Sequence, residues 1–282
     1  MERRSVIKGL LAGLVSLWGA GRGRAQALAP EIRVPRIRTL SPDYARVKAM
    51  PGYRIEAVPG ARALARWEEL RASGEGYPVI VGDAEVLNTV LEAVVDHDSP
   101  QIAATLAKAE SLAWPQALMD LKRRTREALA EEYASGEIAE APQPELGLWP
   151  ARPEAATEPA TPFDPWDGAP FDPCYILVVP ARHGWEVPAY ASWGAWNECP
   201  PPELHIAALR SWHERFGAEL VGMSADVLDV RVRRRPPTRE DALALAREHF
   251  EYCPDIVWQG SDTLAPLAAS HMVSDWWYFW WD

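Results

Sequence analysis

Six consecutive aromatic residues, Trp276-Trp277-Tyr278-Phe279-Trp280-Trp281, all but end the chain. The run reads as a strand, and a strand points successive side chains to opposite faces. Trp276, Tyr278 and Trp280 then share one face, and Trp277, Phe279 and Trp281 the other. A sheet with one face open to water would display these rings side by side, an adhesive patch that soluble folds avoid. The strand therefore belongs in a sheet covered on both faces. The simplest cover is the N-terminal part of the chain, then a partner chain, then a ligand.

The stretch before this strand has a clear pattern. Cys174 to Val179 is an apolar strand. Pro201 to Phe216 is a helix with prolines in its first turn and Gly217 at its end. Ala218 to Met223 and Val227 to Arg233 are strands joined by a tight turn at 224–226. Thr238, with Asp241 three residues on, caps a helix to Tyr252, and a shorter helix runs from Thr263 to His271. The order β-α-β-β-α-β is the split βαβ, or ferredoxin-like, arrangement. The expected fold class is α+β: a C-terminal ferredoxin-like sandwich over 173–282, preceded by a smaller α/β segment over 28–136.

Within that segment, Tyr53 to Val58 alternates as a strand and Pro59-Gly60 stops it. Ala61 to Ala72 is helical and Tyr77 to Val81 is a short apolar strand. Gly82-Asp83 turns the chain into a helix through Val95. Asp98 or Ser99 caps the next helix, and Trp114 to Tyr133 reads as one long charged helix. Residues 137–172 are rich in proline and acid and lack apolar periodicity, the composition of a linker draped over the surface. Its acidic residues Asp164, Asp167 and Asp172 do not have the close ligand spacing of a calcium loop.

The C-terminal half resembles a known bacterial family. Trp185-Glu186-Val187-Pro188, Trp196-Asn197-Glu198-Cys199-Pro200, Tyr252-Cys253-Pro254-Asp255-Ile256 and the closing Tyr278-Phe279-Trp280-Trp281-Asp282 are similar, in order, to blocks of the domain of unknown function 4253 family. The resemblance covers about 172–282, and the 64–82 stretch is similar to what precedes that domain. It implies a fold unit and no reaction, substrate or catalytic residue.

The other end of the chain points to export. Arg3-Arg4-Ser5-Val6-Ile7-Lys8 followed by an apolar run from Gly9 to Gly21, basic Arg22 and Arg24, and Ala25-Gln26-Ala27 reads as a twin-arginine-type signal over 1–27. The expected location is periplasmic or secreted. Removing the signal's five basic residues and one acidic residue takes the net charge from −11 to about −15. So acidic a chain suits neither nucleic acid nor an anionic membrane surface, and no second apolar run is long enough for membrane insertion. Three cysteines, Cys174, Cys199 and Cys253, are too few for a disulfide scaffold.

Two groups of residues invite a functional reading. His205 falls in the middle of the apolar stripe of its helix with Leu209, Trp212 and Phe216, and His249 and Cys253 stand four apart on the next helix. With the two helices antiparallel, Cys199, His205, His249 and Cys253 converge at one end of the domain. Three readings stay open there: an inert packed core, a Cys199–Cys253 disulfide, or a tetrahedral Cys2His2 site for which zinc is the fitting metal. Cys199 also stands before a helix N-terminus, where a thiol pKa is lowered, with His205 or His249 as a base. Trp185, Trp193 and Trp196, in the loop 181–200, either line a groove for a glycan or peptide or pack as the core of the loop. Asp96-His97-Asp98 sits at a helix boundary, and Arg231, Arg233, Arg234 and Arg235 read as a solvated strand edge. No phosphate loop, nucleophile elbow or metalloprotease helix is present. The leading expectation is an exported non-enzymatic binding protein that meets a protein, peptide or glycan through its Trp-rich loop and aromatic sheet face. The alternative is a small metal- or thiol-dependent enzyme built on the Cys/His cluster.

Overall fold

A computed structural model of the chain describes residues 39–139 and 142–282. The export signal expected over 1–27 lies outside the described residues. Short helix α1 (Pro42–Lys48) leads into β1 (Arg54–Val58), α2 (Gly60–Ser73), β2 (Tyr77–Gly82), α3 (Ala84–Val95) and α4 (Ser99–Glu110). The Asp83 side chain accepts from the amides of Glu85 and Val86 at the start of α3, and Asp98 forms a capping box with Gln101 at the start of α4. The expected long helix from Trp114 is two, α5 (Gln116–Ala128) and α6 (Ala130–Ser135), broken at Leu129. Beyond the proline-rich segment come β3 (Cys174–Val179), α7 (Val187–Tyr190), α8 (Pro202–Phe216), β4 (Glu219–Met223), β5 (Val227–Arg231), α9 (Arg239–Tyr252), α10 (Leu264–Val273) and β6 (Trp276–Trp280).

All six strands form one mixed sheet in the order β1-β3-β2-β4-β5-β6. Neighbours are antiparallel except β2 and β4, which are parallel. The α+β class holds, but the ferredoxin-like arrangement does not. The elements of 173–282 do follow in the order β-α-β-β-α-β, yet β3 and β5, which that fold would place side by side, are separated by β2 and β4. The physical reason lies in β2. Every residue from Tyr77 to Gly82 is buried, as a strand with cover on both faces requires, and an interior place between β3 and β4 provides it. The sheet is thus shared across the proline-rich segment: strands from before it and after it pair directly.

Both faces of β6 are covered. Trp277 and Phe279 stand on the same face as their partners Val230 and Leu228 and pack under α8 and α9 through Trp212, which stacks on Phe279 at 5.2 Å. On the other face, the Arg231 guanidinium lies 5.0 Å from the Trp67 ring of α2 and 5.9 Å from Trp276. The segment 142–172 crosses this side as well. The Thr161 amide donates to the Asp229 carboxylate at 2.8 Å, the Ser274 hydroxyl donates to the Ala156 carbonyl, and the Gly60 amide donates to the Phe171 carbonyl. The linker is therefore partly built in, with Thr161 and Asp164 buried. Tyr278, 42 % exposed, and the half-buried Trp280 are what remain open of the aromatic sheet face. Among the described residues no helix is long and apolar enough to cross a membrane.

Candidate functional site

The loop 191–200 folds back onto the first turn of α8. Ser192, Ala195 and Asn197 take positive φ there, and so does Gly194. Only glycine fits at 194, because a Cβ would come within 2.3 Å of the Pro200 carbonyl oxygen and 2.8 Å of His205 Nε2. This close approach brings Cys199 against the His205 ring. Cys199 Sγ lies 3.4 Å from His205 Nε2, and His205 Nδ1 lies 2.5 Å from the Tyr252 hydroxyl at the end of α9. The arrangement is consistent with the hydroxyl donating to Nδ1, which leaves Nε2 protonated and facing Cys199 and the Pro200 carbonyl. Trp193, Tyr252 and Trp281 meet the imidazole edge-on at 4.8, 5.4 and 5.6 Å.

This chamber is buried and its chemistry is muted. Burial drives the His205 pKa down to about 3, so the ring is neutral at pH 7. Burial, with Cys253 nearby, pushes the Cys199 thiol well above its ordinary value, and Tyr252 is raised in the same way. Burial thus acts on Cys199 in the direction opposite to the lowering expected beside a helix N-terminus.

Of the four residues expected to converge, Cys199 and His205 meet and Cys253 lies near them, while His249 belongs to another group. Cys253 follows the last turn of α9 with extended backbone (φ −144°), so its side chain leaves the face it would share with His249 and donates to the Trp280 carbonyl at 2.9 Å. His249 faces His271 of α10 instead, ring centroids 4.7 Å apart, among Trp212, Trp277 and Phe279. Both His249 ring nitrogens, His271 Nε2 and Trp277 Nε1 are buried without a hydrogen-bond partner. Burial lowers both histidines, His271 to about 3, and His249 is lowered further by His271 and Arg215. Among the described residues no three His, Cys, Asp or Glu side chains are grouped to hold a metal, and all three cysteines are free, buried thiols.

The tryptophans of the loop also divide. Trp193 is 4 % exposed, donates through its indole to the Ser224 carbonyl at 2.7 Å and meets Trp196 edge-on at 4.8 Å. Trp185 stacks on His183 at 4.1 Å and tilts against His213. With Trp193 sealed inside and Trp185 and Trp196 half-buried, these rings do not line one groove. The arginine run is solvated but is not a strand edge: Arg231 ends the interior strand β5, and Arg233, Arg234 and Arg235 lie exposed beyond it. Arg231 pairs with Glu68, Arg233 with Glu219 and Arg235 with Asp275, and Arg234 donates to the Glu214 and Arg215 carbonyls.

The aromatic chamber is made of the same blocks that gave the sequence its family character: Trp196 to Pro200, Tyr252-Cys253 and the terminal aromatic run. Residues 175–282 match the family model described as domain of unknown function (DUF4253). The DUF4253 match begins inside β3 and runs to the last residue, so it holds Cys199, His205, His249 and Cys253. It leaves out β2, the strand that lies between β3 and β4 in the sheet. No curated protein and no solved structure matches the chain.

Sequence reasoning passed over one surface feature. An open cleft of about 700 Å³ lies where the start of β1, the end of α2 and the chain after β3 meet, lined by Gly52, Tyr53, Arg54, Arg71, Glu75 and Arg182 among others. Its arginines come from three distant parts of the sequence, and no local motif joins them.

Proposed function

We propose that the chain is an exported binding protein and that its Cys/His cluster is structural. The observation that supports this reading is the sealing of the cluster. Cys199 is 5 % exposed and held as a neutral thiol, and His205 is fully enclosed and neutral, so the pair lacks both an activated nucleophile and a path to substrate. The chemistry-bearing side chains point inward and knit loop 191–200, α8, α9 and the C-terminal segment together, while the open concavity lies elsewhere. Export rests on the basic pair and apolar run of the first residues.

Thiol titration with an aromatic disulfide reagent tests the reading. The native protein should leave Cys174, Cys199 and Cys253 unlabelled over minutes, and three thiols should appear on denaturation. Rapid labelling of one native thiol, abolished by Cys199→Ala, would return the cluster to the thiol-enzyme class. N-terminal sequencing of protein recovered from the periplasm should begin just after residue 27; an intact leader on cytoplasmic protein would remove the export half.

A further inference from the structure

The cleft at the start of β1 is lined by more cationic than anionic side chains although the chain is strongly acidic. Its titratable lining is Arg54, Arg71, Arg182 and the single carboxylate Glu75, together with Tyr53, whose hydroxyl already donates to the Tyr190 carbonyl. Arg54 grips Glu75 with one terminal nitrogen on the carboxylate and the other on its carbonyl at 3.1 Å. Arg71 lies 4.2 Å over the Tyr77 ring and 3.5 Å from Glu219, which it shares with Arg233. Arg182 is exposed, and its guanidinium makes no ion pair among the described residues.

Glu75 indicates what fits. It is 69 % exposed and flanked by Gly74 and Gly76, both at positive φ, with nothing within 4 Å of where a Gly74 Cβ would stand. The exposed Glu75 carboxylate thus rests on one arm of an arginine fork, and such forks take carboxylates bidentately. The volume of the cleft falls in the range of small-molecule sites, and its glycine rim keeps side chains out of the way. Resting on the binding reading above, we propose that this cleft holds a small polycarboxylate. One carboxylate displaces Glu75 from the terminal nitrogens of Arg54, and a second pairs with Arg182.

Calorimetric titration of the full chain with citrate, and with acetate and inorganic phosphate as comparators, tests this. Citrate should bind, acetate should bind at least about tenfold more weakly, and phosphate should be weaker than citrate. Arg182→Gln should weaken citrate binding by about tenfold or more, whereas Glu75→Gln, which removes the internal competitor, should tighten it several-fold. Both positions are exposed, and unchanged melting temperatures would show that the variants are folded. No heat with millimolar citrate, phosphate binding more tightly than citrate, or an Arg182→Gln variant that binds like the parent would overturn the assignment. Failure here with silent native thiols discards the cleft alone, whereas a reactive Cys199 sinks the binding reading whatever citrate does.

Discussion

Glu248 shows how much a single side chain on α9 can tie together. Its Oε1 accepts from the Trp114 indole at 2.7 Å and the Trp212 indole at 2.6 Å, and Arg215 reaches both oxygens at 2.8 Å. Only 11 % of its side chain is exposed, so these are charge-assisted bonds shielded from water. Trp114 precedes α5, so the carboxylate joins the N-terminal part of the chain to the aromatic core. Glu248→Ala would leave two indole N–H groups inside without an acceptor. The expected loss is about 3 kcal/mol, or a melting point lower by roughly 6–12 °C for a chain of this size. Glu248→Gln, which keeps one acceptor, should lose less than half of that. A thermal melt followed by tryptophan fluorescence checks both, and an Ala variant as stable as the parent would mean the indoles do not depend on this carboxylate. Nothing in the sequence singled Glu248 out, because a carboxylate on a charged helix face has no local mark of what crosses over to meet it.

Element types were legible and their pairing was not. Capping residues, terminal glycines and apolar alternation located α3, α4, α8, α9 and all six strands closely, because those signals act within a few residues. The wholly apolar Tyr77 to Val81 announced a buried strand but not which strands would bury it, since that is decided by partners about a hundred residues away. The same limit applies to the site. Periodicity rightly turned His205 and His249 inward, yet it placed Cys253 on the face of a helix that has already ended. Arg54, Arg71 and Arg182 meet only through the sheet. The pairing carries its own test. Residues 173–282 expressed alone lack β2, which hydrogen-bonds both β3 and β4, and should be insoluble or molten. The span 39–282 should fold. A cooperative melt with dispersed amide resonances from 173–282 alone would sink the shared-sheet topology.

For the molecule as a whole, the consequence of this core is lability to acid. His205, His249 and His271 are buried and neutral, with folded-state pKa values depressed chiefly by burial, two of them to about 3. In the unfolded chain they titrate near the ordinary histidine value of about 6.5. Between those limits the unfolded state binds the extra protons. The stability these groups permit is therefore intact above about pH 6.5 and declines as pH falls, by up to about 1.4 kcal/mol per pH unit for each histidine. Asp226 and Asp229 work in the opposite direction: burial raises both, so protonation on acidification favours the folded state and offsets part of the loss. The histidines begin to act near pH 6.5, and even one of them is felt against a typical total stability of about 5–15 kcal/mol. The melting temperature should hold between pH 8 and 7 and fall steadily from about pH 6.5 to 4.5. His271→Phe keeps a ring of similar outline and removes an unpartnered Nε2, so it should make that slope shallower and not lower the melting temperature at pH 7. A melting temperature flat from pH 7 to 5 in the parent would mean that these histidines find protons or partners in the folded protein, and that the aromatic core is wetter than its geometry implies.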